Sequence, residues 1–119
     1  MEAILIFTAF VIKHFVADFV LQYDYMVKEK GQWMKPGGLH HSGIHALGTL
    51  AIAVGFGVGL TLVLLAVIID AVTHYVIDWS KSQATQSLTP ADRSFWIWVG
   101  FDQMLHYMVY VLITWMLLL

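Results

Sequence analysis

The sequence contains no cysteine and few charged residues. The absence of cysteine in 119 residues excludes a disulfide framework, thiolate metal ligands and a cysteine nucleophile. Charged residues make up 12% of the chain, whereas a soluble domain has about a quarter. With six lysines and arginines in all and a net charge of −2, the chain has no basic tract, so nucleic acid is not an expected partner.

What the chain has instead is long apolar runs. Hydrophobic residues make up 60% of the sequence, and the mean hydropathy is +0.76. Because a membrane-spanning helix needs about 20 mainly apolar residues, these runs predict an all-α integral membrane four-helix bundle. It forms a single domain, 1–119, with helices at about 3–22, 40–54, 60–79 and 94–119. A soluble bundle is disfavoured, since the final "VYVLITWMLLL" has no polar face.

The basic residues outside the helices predict an orientation. Lys28, Lys30 and Lys35 lie in the first loop, and Lys81 and Arg93 lie in the third. The second loop and both terminal segments contain no lysine or arginine, and the N-terminal run lacks the basic region and cleavage site of a signal peptide. Because cytoplasmic loops are enriched in lysine and arginine, both termini are expected on the non-cytoplasmic side of the cell inner membrane.

Histidine and aspartate recur four residues apart in all four helices. The segments are "HFVAD", "HSGIH", "DAVTHYVID" and "DQMLH", and residues at this spacing share one helix face. The pairs occur late in the first and third helices and early in the second and fourth. They should therefore lie at one depth, in the cytoplasmic half, and converge. The candidate metal ligands are His14, Asp18, His41, His45, Asp70, His74, Asp78, Asp102 and His106.

These residues favour a metal site over helix-to-helix hydrogen bonds alone. An ionisable group at membrane depth costs a few kcal/mol, and no lysine or arginine is expected within the cluster to neutralise its carboxylates. A divalent cation would do so. Histidine and carboxylate ligands without sulfur suit zinc first, with iron, manganese or nickel as alternatives, and nine candidates suffice for one or two ions. Gln22 extends the first face by another turn, whereas His40 is expected outside the site.

Four segments carry a resemblance to a known family. "HFVADFVLQYDYMVKEK", the helix with two histidines, "THYVIDWSK" and "FDQMLHY" resemble the signatures of the bacterial and phage domain-of-unknown-function family numbered 3307, over nearly the whole chain. More remotely, the chain is similar to small inner-membrane proteins described as metal-dependent hydrolases. The resemblance implies that Gln22 and Gln103 act beside the His and Asp ligands, and it fits the "HSGIH" helix less tightly.

The function that these features predict is a membrane-embedded metal-dependent hydrolase. A metal ion with an open coordination position activates water, and a carboxylate not used as a ligand accepts its proton. Asp78 and Asp18 are the expected catalytic carboxylates. The expected partners are membrane lipids, a lipid or lipid-linked substrate, and a second copy of the chain. The alternatives are a divalent-metal or proton transporter, then a di-iron oxidative enzyme, then a bis-histidine haem bundle that leaves the aspartates unexplained.

Overall fold

The computed structural model describes residues 1–119, and its fold is all-α, as the sequence predicts. Four helices are long, and one short helix lies in the first loop. The molecule measures 44 × 27 × 21 Å. The elements are α1 (Glu2–Phe15), extended by a π-helical turn (Val16–Val20), then α2 (Asp24–Glu29), α3 (Pro36–Gly55), α4 (Leu60–Ala84) and α5 (Arg93–Leu117).

Proline and glycine mark the ends of α3. Pro36 occupies the first turn, where a missing N–H costs nothing because that group has no intrahelical partner. After Gly55 the chain reverses into α4 through Gly57, whose φ of +71° is a conformation that glycine adopts without strain. The reversal falls in the "GFGVG" segment, where the sequence predicts it.

In the loop before α5, the Asp92 side chain accepts hydrogen bonds from a residue three positions earlier in the chain. The Asp92 carboxylate accepts bonds from the Thr89 backbone N–H at 2.7 Å and from the Thr89 hydroxyl at 2.9 Å. These two bonds, the backbone one first, hold the pKa of Asp92 below its usual value. The bonds fix the turn from which α5 starts.

The helix bounds differ from the sequence prediction in three places. Helix α3 begins at Pro36, before its predicted start at about residue 40. The first loop contains α2, for which the sequence predicts no helix, and Met26 of α2 is buried against the rest of the protein. Helix α4 continues to Ala84, past its predicted end at Trp79. Its final turns dock on the first loop, where the Gln83 side chain donates to the Gly31 carbonyl at 2.6 Å.

The four long helices pack in a closed ring in the order α1, α3, α4, α5 and back to α1. Neighbours in the ring run antiparallel, so the start of α1 lies beside the end of α5. At that end of the molecule the interior is apolar, apart from the hydroxyls of Thr114 and Tyr110. The apolar cluster consists of Ile6, Phe10, Ala53, Val63, Ala66, Tyr110, Ile113 and Leu117.

Polar side chains are concentrated in the interior, and apolar side chains cover the outside. Among the 23 buried residues, 11 carry polar or charged side chains. Large apolar side chains such as Ile12, Leu47, Ile68 and Trp115 are more than half exposed. Two helical segments, Glu2–Val20 and Leu60–Ala84, are long and apolar enough to cross a membrane.

Candidate metal centre

Eight predicted ligands from four helical segments meet at the end of the ring opposite the apolar cluster. Their donor atoms form three overlapping groups, and within each group these atoms lie within 4.8 Å of one another. His74 belongs to two of the groups, and so does His106. The groups are Asp18 with His41, His45 and His74; His14 with His74 and His106; and Asp78 with Asp102 and His106.

Asp18 accepts contacts from three imidazoles. Its Oδ1 lies 3.0 Å from Nε2 of His45 and 3.2 Å from Nε2 of His41. Its Oδ2 lies 3.1 Å from Nε2 of His14. One carboxylate thus connects the first helix with both histidines of α3.

Asp78 occupies the corresponding position on the α4 and α5 side. Its Oδ1 lies 3.3 Å from Nε2 of His106, and its Oδ2 lies 3.3 Å from Nε2 of His41. Oδ1 of Asp102 lies 3.5 Å from Nε2 of His106 but makes no hydrogen bond there, so this buried oxygen has no hydrogen-bond partner. The two carboxylates of this half therefore share one histidine, and one of their oxygens has a free lone pair.

Three of the imidazole rings are stacked face to face in the centre, with the His74 ring in the middle. The His74 ring lies 3.5 Å from the His45 ring and 4.2 Å from the His106 ring, centroid to centroid. Its Nε2 also lies 3.3 Å from Nε2 of His41. His74 links the two halves of the site through its stacked ring, and His41 links them through its contacts with Asp18 and Asp78.

These nitrogens cannot all be satisfied by their own protons. A neutral imidazole has one N–H and one lone pair, yet Nε2 of His41 faces two carboxylate oxygens and Nε2 of His74 at 3.2 to 3.3 Å. One proton on that nitrogen can serve only one of these contacts. The neighbouring oxygen and nitrogen atoms that this proton does not reach stay close together, an arrangement that a cation stabilises. This donor set fits zinc or another divalent metal that accepts nitrogen and oxygen ligands.

A π-helical turn positions Asp18. The Leu21 N–H bonds to the Val16 carbonyl five residues earlier, at 2.9 Å, so this turn is wider than an α-helical one. Single π turns occur frequently at functional sites. The expected pairing of His14 with Asp18 is kept, but α1 reaches it through this wider turn and not through regular helix.

Tyr110 and Gln103 lie outside the three donor groups and contact the side chains within them. The Tyr110 hydroxyl lies 2.9 Å from Nδ1 of His14 and 3.5 Å from Nδ1 of His45. Gln103 lies between two ligands, with Oε1 at 3.0 Å from Nε2 of His14 and Nε2 donating to Asp102 at 3.1 Å. Such neighbours fix the orientation of metal-binding side chains. By contrast, Nδ1 of His41 and Nδ1 of His74 have no partner.

Asp70, the ninth predicted ligand, lies apart from the three groups. Its Oδ2 accepts from Nζ of Lys13 at 2.6 Å and from the Thr49 hydroxyl at 2.5 Å. The Lys13 ammonium also lies 4.7 Å above the ring centre of Tyr110. Asp70 therefore has its own counter-ion one layer away, between the centre and the apolar cluster.

The expectation that no lysine enters the cluster is wrong. Besides Lys13, Nζ of Lys30 lies 3.3 Å from Oδ2 of Asp78 and donates to Oε1 of Gln22 at 2.9 Å. Gln22 in turn donates to the Asp18 carbonyl. The sequence predicts Lys30 in a loop and outside the cluster, and it gives no signal for Tyr110 or Thr49.

His40 lies outside the centre, as predicted. Its Nδ1 lies 3.0 Å from the Tyr25 hydroxyl in an exposed contact. It joins none of the ligand groups. His40 is therefore the one histidine of the chain that the centre does not include.

The comparisons with known proteins identify one family. The model of a family described as "Protein of unknown function (DUF3307)" matches residues 6–119. No curated protein matches the chain, and no solved structure matches it.

Proposed function

We propose that this chain, which belongs to the DUF3307 family of proteins of unknown function, is a membrane-embedded metal-dependent hydrolase. One observation carries the proposal. Five histidines and three aspartates, contributed by every long helical segment, place their donor atoms together in the interior. Ionisable groups are energetically costly at membrane depth, so a cluster of eight of them is typical of a functional site.

The distribution of side chains supports a membrane setting for all four long helices. The polar groups of α3 and α5 lie largely in the interior, whereas outward positions of α5 such as Phe101, Met108 and Val111 are exposed and apolar. A surface of this kind is favourable in lipid and unfavourable in water. We therefore propose an integral membrane four-helix bundle.

The basic residues support its orientation in a cell inner membrane. Lys28, Lys30 and Lys35 precede α3, and Lys81 and Arg93 flank the loop between α4 and α5. All five thus lie at the end of the bundle that holds the metal centre. By the rule that cytoplasmic loops are enriched in lysine and arginine, the centre opens to the cytoplasm and both termini lie on the other side.

The donor groups contain enough ligand atoms to bind one or two zinc ions, and iron or manganese are the alternatives. Asp18, His41 and His45 would hold one ion, while Asp78, Asp102 and His106 would hold a second, with His74 between them. A bound zinc ion would lower the pKa of a coordinated water to about 7 and polarise the scissile ester or phosphoryl group.

The carboxylates of the chain have distinct roles in this proposal. Asp18 contacts three imidazoles and is best suited to binding and orientation. Asp78 would hold the second ion through Oδ1, the oxygen beside His106, while its Oδ2, which lies 3.3 Å from Nζ of Lys30, would accept a proton from water. When the water oxygen bonds to the substrate, Asp78 would return that proton to the leaving oxygen.

The interior beyond the centre favours an enzyme over a transporter. The apolar cluster around Phe10, Ala53 and Ile113 closes the opposite end of the bundle. A transporter needs a site that opens alternately to both sides, near the midplane. A centre that a packed apolar layer closes on one side suits chemistry on a lipid or lipid-linked substrate.

Elemental analysis of the purified protein tests this proposal, together with hydrolysis assays over a panel of lipid esters and phosphates. We expect one or two zinc ions per chain, and turnover that stops on replacement of Asp78 by asparagine while zinc is retained. Iron in place of zinc would support an oxidative enzyme. Zinc uptake into vesicles without hydrolysis of any lipid would support a transporter, and a protein without affinity for metal would contradict the proposal.

A further inference from the structure

Lys30 is a cation directed inward at the candidate metal centre. Its ammonium lies 3.3 Å from Oδ2 of Asp78 and 2.9 Å from Oε1 of Gln22. Only 12% of the Lys30 side chain is exposed. A lysine that serves only to orient the protein in a membrane would extend into solvent, whereas this one points inward.

The backbone of Lys30 is held rigidly over the centre. The preceding Glu29 accepts a hydrogen bond from the Gly37 N–H at 2.7 Å, which joins the end of α2 to the start of α3. A Cβ on Gly37 would lie 2.8 Å from the Tyr25 carbonyl, and one on Gly38 would lie 3.3 Å from Cα of Lys30. Two glycines thus permit the close approach that fixes this cation.

A metal ion bound at the centre would change which anion the Lys30 ammonium can pair with. Asp78 belongs to a ligand group, and a divalent ion held there would compete with the ammonium for the same carboxylate. Two positive charges about 4 Å apart repel one another appreciably when partly buried. The ammonium would then remain beside the centre, hydrogen-bonded to Gln22 but without a counter-anion.

We infer that Lys30 is the substrate-binding residue for a phosphate ester, whose non-bridging oxygen takes the place of Asp78 as the partner of the ammonium. Lysine binds phosphate as a point charge, and a cation beside bound metal stabilises a phosphoryl group through its reaction. Gln22 is then a positioning residue, since it joins Lys30 to the Asp18 carbonyl. This inference rests on the proposed function and adds the class of substrate.

The test is phosphate binding to the zinc-loaded, full-length protein in detergent micelles, measured by titration calorimetry. Inorganic phosphate and a short-chain phosphatidic acid are the two probes. We expect Lys30→Met to weaken phosphate binding by about tenfold or more, the range expected for a charge-assisted bond, and Lys30→Arg to retain most of it. Lys28→Met is the matched control, because that side chain is exposed on the same short helix and should leave the affinity unchanged.

The two probes separate the source of the phosphate. Tighter binding of phosphatidic acid than of inorganic phosphate supports a lipid substrate, and equal affinities support a soluble phosphate ester. Zinc content and helicity, measured for every variant, separate loss of phosphate binding from loss of the centre. A protein that takes up no metal overturns the proposed function and this inference together. A zinc-loaded protein that binds no phosphate, or binds it equally without Lys30, overturns this inference alone.

Discussion

At the scale of single residues, His74 lies at the middle of the candidate metal centre. It belongs to two donor groups and stacks between two other imidazoles. Its Nε2 also lies 3.3 Å from Nε2 of His41, the imidazole that contacts both Asp18 and Asp78. Loss of His74 removes a donor from each half and leaves a gap between the His45 and His106 rings.

We therefore predict that His74→Ala abolishes tight metal binding while the protein stays helical and membrane-inserted. Mutation of residues that merely support a ligand weakens metal binding by roughly 10- to 100-fold, and loss of a direct ligand should exceed that range. Zinc retained after competition with a chelator measures the effect. His40→Ala is the matched control, since His40 is exposed and bonded to Tyr25. Full zinc occupancy in His74→Ala would assign His74 to packing.

The sequence predicts well which histidines and aspartates come together, and it predicts their cationic neighbours poorly. A spacing of four places His14 with Asp18 and His74 with Asp78 because helix geometry alone decides which side chains share a face. Lys13 precedes His14 and should point elsewhere, but its long chain bends inward over Gly48, where a Cβ would lie 2.6 Å from Cγ of Lys13. That path depends on a partner helix, which no local pattern encodes.

At the scale of the elements, α1 and α4 are joined by a buried ion pair. Lys13 of α1 and Asp70 of α4 are 7% and 1% exposed in their side chains, with Thr49 of α3 completing the contact. Removing one member of a buried pair leaves an uncompensated charge, at a cost of about 3–5 kcal/mol. Removing both charges costs much less.

Two variants separate this pair from the metal centre. We expect Lys13→Met to lower the thermal unfolding midpoint of the protein in detergent, followed by circular dichroism, and Lys13→Met with Asp70→Asn to restore most of the loss. The double variant should keep its full zinc content, because Asp70 lies outside the donor groups. Loss of zinc in the double variant would make Asp70 a ligand after all.

Two local elements of the fold could not be predicted from the helical pattern of the sequence. The segment "VADFV" forms a π turn, although nothing in its composition distinguishes it from α-helix. The short helix α2 likewise exists in contact with α3, through buried Met26 and the Glu29 bond to Gly37. Both features depend on tertiary packing, and both decide where Asp18 and Lys30 lie.

At the scale of the whole molecule, the proposed orientation places the second loop outside the cytoplasm. The chain has no native cysteine, so single introduced cysteines report topology directly. Gly59 is a suitable site because a Cβ there meets nothing within 4 Å, and it avoids the positive φ of Gly57. We predict that an impermeant thiol reagent labels Gly59→Cys in intact cells but labels Ser87→Cys, in the third loop, only after lysis. The reverse labelling would invert the orientation and place the centre on the outer side.

The pairing of acid and base within single helices has a consequence for biosynthesis. In the proposed membrane setting, the helices enter the bilayer one after another, before the centre exists. His14 lies 3.1 Å from Asp18, His74 lies 3.7 Å from Asp78, and His106 lies 3.5 Å from Asp102, so α1, α4 and α5 each carry a mutual proton donor and acceptor from the start. Such a pair lowers the cost of exposing ionisable groups to lipid. In this setting the candidate ligands would partner one another within each helix during insertion, and the folded protein keeps these three contacts while it adds those between helices.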